Sequence, residues 1–66
     1  MSFGAKLRNA RKEKHMTQIE LAEYLGIDNV TVSCYERNTT FPSLQIFKML
    51  CDLFSLDAND LLKSIN

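Results

Sequence analysis

Few side chains in this 66-residue chain are of the kind that carry out a reaction. Cysteine occurs twice, at Cys34 and Cys51, and histidine once, at His15. There is no CxxC pair, and two distant thiols with one histidine fall short of a metal's ligand set. Without a secretory context the thiols are expected to stay reduced, a Cys34–Cys51 staple being the alternative. His15 reads as a turn residue. No carboxylate pair, Cys–His pair or phosphate-binding glycine loop stands out, so nothing points to catalysis, and no cofactor or small-molecule substrate is expected. The chemistry on offer is that of binding. The hydroxyls of Thr39 and Thr40 suit phosphate oxygens as well as they suit a plain polar loop.

The chain is organised around the stretch from Gln18 to Arg37, which reads as two short helices around a glycine. Thr17 can cap the first through its hydroxyl while Glu20 reaches back, a T-x-x-E capping box. Leu21, Ala22 and Leu25 then share one face at helical spacing. Gly26 readily takes the left-handed conformation of a sharp exit. After Ile27, Asp28 is a candidate N-cap for a second helix with Val32 and Tyr35 as its buried stripe. Ala22 has the size needed where that helix crosses the first. Capped helix, glycine turn and capped helix make a helix-turn-helix.

The stretch resembles the helix-turn-helix of the phage repressor and Cro family, also called the XRE family. The match lies in TQ at 17–18, LA at 21–22, LG at 25–26, Val32, Tyr35 and Glu36. The flanking LRNARKEKHMTQ and PSLQIFKMLCDLFSLDANDLL match as well, so the resemblance covers nearly the whole chain. It implies an all-α, compact five-helix, lambda-repressor-like domain spanning residues 1–66, with the helix-turn-helix at helices 2 and 3.

Size and composition agree. Sixty-six residues make one domain with a thin core, and 45% hydrophobic against 24% charged residues is globular rather than disordered. No apolar run approaches the ~20 residues of a membrane span and no signal-peptide pattern opens the chain, so a soluble, cytoplasmic protein is expected. The net charge of zero conceals segregation. Residues 1–15 carry Lys6, Arg8, Arg11, Lys12 and Lys14 against Glu13, a balance of +4. Residues 16–40 balance at −3 and residues 41–66 at −1. A local basic patch matters more to a phosphate backbone than the total does.

Elsewhere the periodicity predicts a first helix from about Phe3 to Lys14 on a Phe3, Leu7, Ala10 stripe. Its basic side chains, Lys6, Arg8 and Lys12 among them, suit phosphate contact and a solvated face equally. Asn38 stands where the family usually has glycine, and asparagine is the next residue to tolerate a left-handed helix end. Ser43 can cap a fourth helix with Leu44, Phe47, Leu50, Cys51 and Phe54 inward. Ser55 replaces another glycine of the family, which predicts a slightly strained exit. Leu56 fills the core, Asp57 caps a short fifth helix and Leu61 anchors it. Ile46, Met49 and Leu53, with Leu62 and Ile65, form more apolar surface than so small a domain can bury, and predict an association surface.

The resemblance implies roles for particular residues. Gln18, at the start of helix 2, would hydrogen-bond a backbone phosphate, as would Ser33, Arg37, Thr39 and Thr40. On the recognition helix, about 28–37, Asn29 would bind an adenine edge, Val30 would meet a thymine methyl, and Cys34 stands where relatives carry a longer base reader. Arg11 would pair with Glu36 as a structural ion pair. Leu53, Leu62 and Ile65 would form a weak homodimer interface. The implied function is a sequence-specific DNA-binding transcriptional regulator, a repressor or controller, that binds an inverted-repeat operator in double-stranded DNA as a homodimer. The alternative is a protein-interaction module on the same fold, antitoxin-like. With few base readers, specificity per subunit is expected to be low.

Overall fold

The structure is a computed structural model that describes residues 2–63. It consists of five helices, α1 (Phe3–Glu13), α2 (Gln18–Leu25), α3 (Asn29–Glu36), α4 (Leu44–Phe54) and α5 (Ala58–Lys63), and no strand occurs among the described residues. No described helix is long and apolar enough to cross a membrane. Each of the first four starts where a cap fits. Ser2 Oγ accepts from Ala5 N, Thr17 Oγ1 from Glu20 N, and Ser43 Oγ from Ile46 N. Asp28 occupies the N-cap of α3 but makes no side-chain cap bond. Its carboxylate is exposed, where water competes for it with the helix N–H groups. Asp57 Oδ1 accepts from Asn59 N at the start of α5.

The core gathers one stripe from every helix. Phe3, Leu7 and Ala10 of α1, Leu21, Ala22 and Leu25 of α2, Val32 and Tyr35 of α3, Phe47, Leu50 and Phe54 of α4, and Leu61 of α5 are all buried. α1 packs on α3 and α5, and α2 packs on α3. The approach of α1 to the end of α3 is close enough to exclude a side chain. A Cβ on Gly4 would lie 2.3 Å from Glu36 O and 2.7 Å from Tyr35 O. Burial also pushes the Tyr35 hydroxyl above its ordinary value, so it stays protonated.

Three non-glycine residues take left-handed backbone, His15 at φ 57°, Asn38 at φ 62° and Ser55 at φ 53°. His15 and Ser55 end helices in the way Gly26 does at φ 72°. Asn38 has a further task. Its Oδ1 accepts from Gly4 N at 2.9 Å, and its Nδ2 donates to Ser2 Oγ at 3.1 Å. The second residue after the third helix therefore helps to cap the first.

The apolar surface differs from expectation at α4. Leu44 does not face the core and is 86% exposed, because the buried stripe begins one turn later at Phe47. Ile46, Met49 and Leu53 are half-buried against the core rather than surplus to it. Beside α4 the open apolar surface includes a groove of about 560 Å³ lined by Phe41, Pro42, Leu44, Cys51, Ala58 and Leu62, with Lys48 and Asp52 at its side. Phe41 and Phe47 both line it with their rings 5.6 Å apart, and Phe41 also packs 5.0 Å from the Phe3 ring. Burial and then the charges of Asp52 and Asp57 push the Cys51 thiol up, which disfavours the reactive thiolate. Leu62 is half exposed, and Ile65 lies outside the described residues.

Candidate nucleic-acid interface

The interface is built on the joint between α2 and α3. The capping box sets the start of α2, with Thr17 N donating to Glu20 Oε1 at 2.8 Å and Glu20 N donating to Thr17 Oγ1 at 3.0 Å. Gly26 turns the chain in left-handed backbone, and Ile27 N donates to Ala22 O at 3.0 Å. The chain then enters α3 with Leu21 and Val32 both fully buried at the crossing. Burying Val32 and Tyr35 rotates the other side of α3 outward, since the helix repeats every 3.6 residues. Asn29 and Val30 stand on that side, Val30 57% exposed, while Thr31, Ser33 and Cys34 are half-buried.

At the C-terminal end Arg37 folds back along α3. Its Nε donates to Ser33 O at 3.4 Å and its Nη2 lies 3.6 Å from Cys34 Sγ. Thr39 is also turned to the helix, its hydroxyl donating to Cys34 O at 3.1 Å. A hydroxyl has one proton to give, so in this state Thr39 has none for a phosphate. Thr40 is exposed. Of the basic residues of α1 and its C-cap, Arg8, Lys12 and Lys14 are exposed, whereas Lys6 Nζ is held 2.9 Å from Asp60 Oδ2 and ties α1 to α5.

Beneath the outward face lies one polar cluster. Arg11 Nε sits 2.6 Å from Glu36 Oε2, Arg11 Nη2 donates to Glu36 Oε1 at 3.1 Å, and Arg11 Nη1 donates to Met16 O at 2.8 Å. The pair is bidentate and nearly buried, with side chains 10% and 5% exposed. Gln18 Nε2 joins it, donating to Glu36 Oε1 at 3.1 Å. The cluster links α1, the entry to α2 and the end of α3, and no buried side-chain polar atom among the described residues is left without a partner. Neither the Gln18 bond nor the Asn38 bonds to α1 were legible in the sequence, because each joins residues whose distance only helix packing sets. A capping-capable asparagine after a helix was the one local signal for the second.

Among the described residues no group of histidine, cysteine and carboxylate side chains could hold a metal ion. What the arrangement can do is hydrogen-bond. It offers an amide and an apolar side chain at the front of an exposed helix, and a second amide and a guanidinium at its flanks.

Comparison with known proteins gives this geometry its family. A family model described as Helix-turn-helix matches residues 7–61. The chain is 37% identical over 62 residues to the HTH-type transcriptional regulator ImmR of Bacillus subtilis (strain 168), covering 94% of this chain and 49% of that protein. It is 36% identical over 57 residues to the ImmF control region 10 kDa protein of Bacillus phage phi105, covering 86% and 63%. It is 32% identical over 62 residues to the HTH-type transcriptional activator BcrR of Enterococcus faecalis, covering 94% and 30%. The chain thus spans between 30% and 63% of the length of these relatives. With a capped helix, glycine turn and second helix in place, flanking helices in register and a family match over most of its length, the chain belongs to the phage repressor and Cro-like (XRE) helix-turn-helix family of DNA-binding domains.

Proposed function

We propose that this domain binds double-stranded DNA in the cytoplasm as the reading head of a transcriptional regulator, with no catalytic activity of its own. The observation that carries the reading is the exposed front of α3, where Asn29 and Val30 stand clear of a core that fixes the helix through Val32 and Tyr35. Placed in a major groove, Asn29 can bind an adenine at N6 and N7, and Val30 can meet a thymine methyl. Gln18, Ser33, Arg37 and Thr40 are suited to the phosphates on either side, and Thr39 could join them only by giving up its bond to Cys34. Cys34, half-buried beside Arg37, contributes at most a short contact to a base.

One subunit with a single bidentate reader, worth roughly 1–3 kcal/mol, discriminates poorly. Two copies on an inverted repeat would double the contacts. The open groove between α4 and α5 supports such a pairing, because its apolar lining carries Lys48 and Asp52, charges that a two-fold axis can set against each other. Leu62 lines this surface, whereas Leu53 is half-buried against the core and is not among the lining residues.

Selection of bound sequences from a random duplex pool tests both parts. An inverted repeat with half-sites about 10 base pairs apart supports the dimeric regulator. Recovery of a single half-site removes the dimer, and recovery of no common sequence removes sequence-specific binding. The same groove would serve a protein partner if the domain were an interaction module instead. Binding to DNA weakens steeply with log[salt], whereas apolar docking does not, so a salt series on any complex separates the two.

A further inference from the structure

The Gln18 amide is not free to turn. Glu36 Oε1 accepts from both Arg11 Nη2 and Gln18 Nε2, each at 3.1 Å, while Oε2 takes Arg11 Nε. A carboxylate only accepts hydrogen bonds, so the amide must present its nitrogen to Glu36. A phosphate oxygen also only accepts. An amide that flips freely offers such an oxygen its carbonyl half the time, which is repulsive. Fixed as it is here, the group spends one N–H on Glu36 and keeps the second for an outside acceptor. Arg11 completes the device, since it holds the carboxylate with two nitrogens and, through Met16 O, the backbone two residues before Gln18.

From this geometry we infer that Glu36, locked by Arg11, is a positioning residue for the DNA-phosphate contact of Gln18. The inference rests on the role of Gln18 proposed above. It gives the buried ion pair a part in binding: orienting a donor before DNA arrives, so that the ordering is not charged to the complex.

A double-mutant cycle tests it on duplexes selected by the wild-type protein. The background is Arg11→Met with Glu36→Leu, an apolar pair of similar size that leaves no buried charge unpaired. In the wild-type background Gln18→Ala should weaken binding about tenfold on all duplexes, the loss of one charge-assisted bond, and leave the salt slope unchanged, because a neutral amide releases no counterion. In the apolar background binding should start weaker, and Gln18→Ala should then change it less than about twofold. Equal losses in both backgrounds overturn the positioning role and leave the phosphate contact standing. No loss in the wild-type background overturns the contact and the inference together, while wild-type affinity still reports on DNA binding itself. Should the apolar background fail to fold, side-chain amide relaxation in the free wild-type protein decides, with exposed Gln45 as internal reference. A Gln18 amide markedly more rigid than that of Gln45 supports the inference, and equal mobility overturns it.

Discussion

Asn29 and Gly4 mark two ways in which a single residue matters here, one through what it offers and one through what it lacks. Asn29→Ala removes the amide that can read an adenine and should relax preference at one base pair of each half-site. The expected cost is about 1–3 kcal/mol on the best site and little on others. Affinities measured over a set of single-base operator variants check this, and a uniform loss across them would falsify the base-reading role. Gly4→Ala places a methyl group within 2.3 Å of the Glu36 carbonyl, a backbone atom that cannot swing aside. To relieve it, α1 must shift from the end of α3, at a cost of roughly 1–3 kcal/mol. Urea unfolding should show a lower midpoint with an unchanged slope. A midpoint equal to wild type would mean that the two helices separate without cost.

Of the three helix ends with left-handed backbone and no glycine, those at Ser55 and Asn38 should respond to substitution with opposite signs. Ser55 ends α4 at φ 53°, and its side chain caps nothing that would repay the strain of a Cβ in that region. Ser55→Gly should stabilise by about 0.5–1 kcal/mol after the entropy of a glycine is subtracted. Asn38 takes the same backbone at φ 62° but hydrogen-bonds Gly4 N and Ser2 Oγ across 34 and 36 residues. Asn38→Gly relieves the strain yet unmakes both bonds, and should be destabilising by about 1 kcal/mol, with Gly4 N left short of a partner. Thermal unfolding of the two variants side by side gives the sign of each. If both rise together, backbone strain outweighs the link between α3 and α1.

At the scale of the molecule, the groove between α4 and α5 is the surface on which the proposed dimer rests. A patch of this size gives weak association, on the order of micromolar, and two DNA half-sites would then complete the dimer by holding both subunits in register. Leu44 is 86% exposed and Leu62 52%, so a charge at either should not disturb the fold. Leu44→Glu and Leu62→Glu should each abolish self-association in sedimentation over a concentration series and reduce cooperativity on an inverted repeat. A wild-type protein that remains monomeric at the highest concentration, with both variants still binding cooperatively, would exclude this surface as the interface.

The sequence by itself determined what is local. The capping box at Thr17 and Glu20, the turn at Gly26, the serine cap at Ser43 and the apolar stripes all depend on residues within one or two helical turns, where spacing alone sets geometry. Those stripes and punctuation marks were enough for five helices, a core and a family. The tertiary structure decided whatever depends on how close two helices come. Gly4 proved to be a contact point because α1 meets the end of α3 there, and Leu44 fell outside the core because the buried stripe of α4 starts only at Phe47. Likewise Gln18 read as a free amide until packing brought Glu36, eighteen residues on, within 3.1 Å. Periodicity tells which face of a helix turns inward. It carries no information on which residue of another helix waits there, because that distance follows from all the side-chain volumes packed between them.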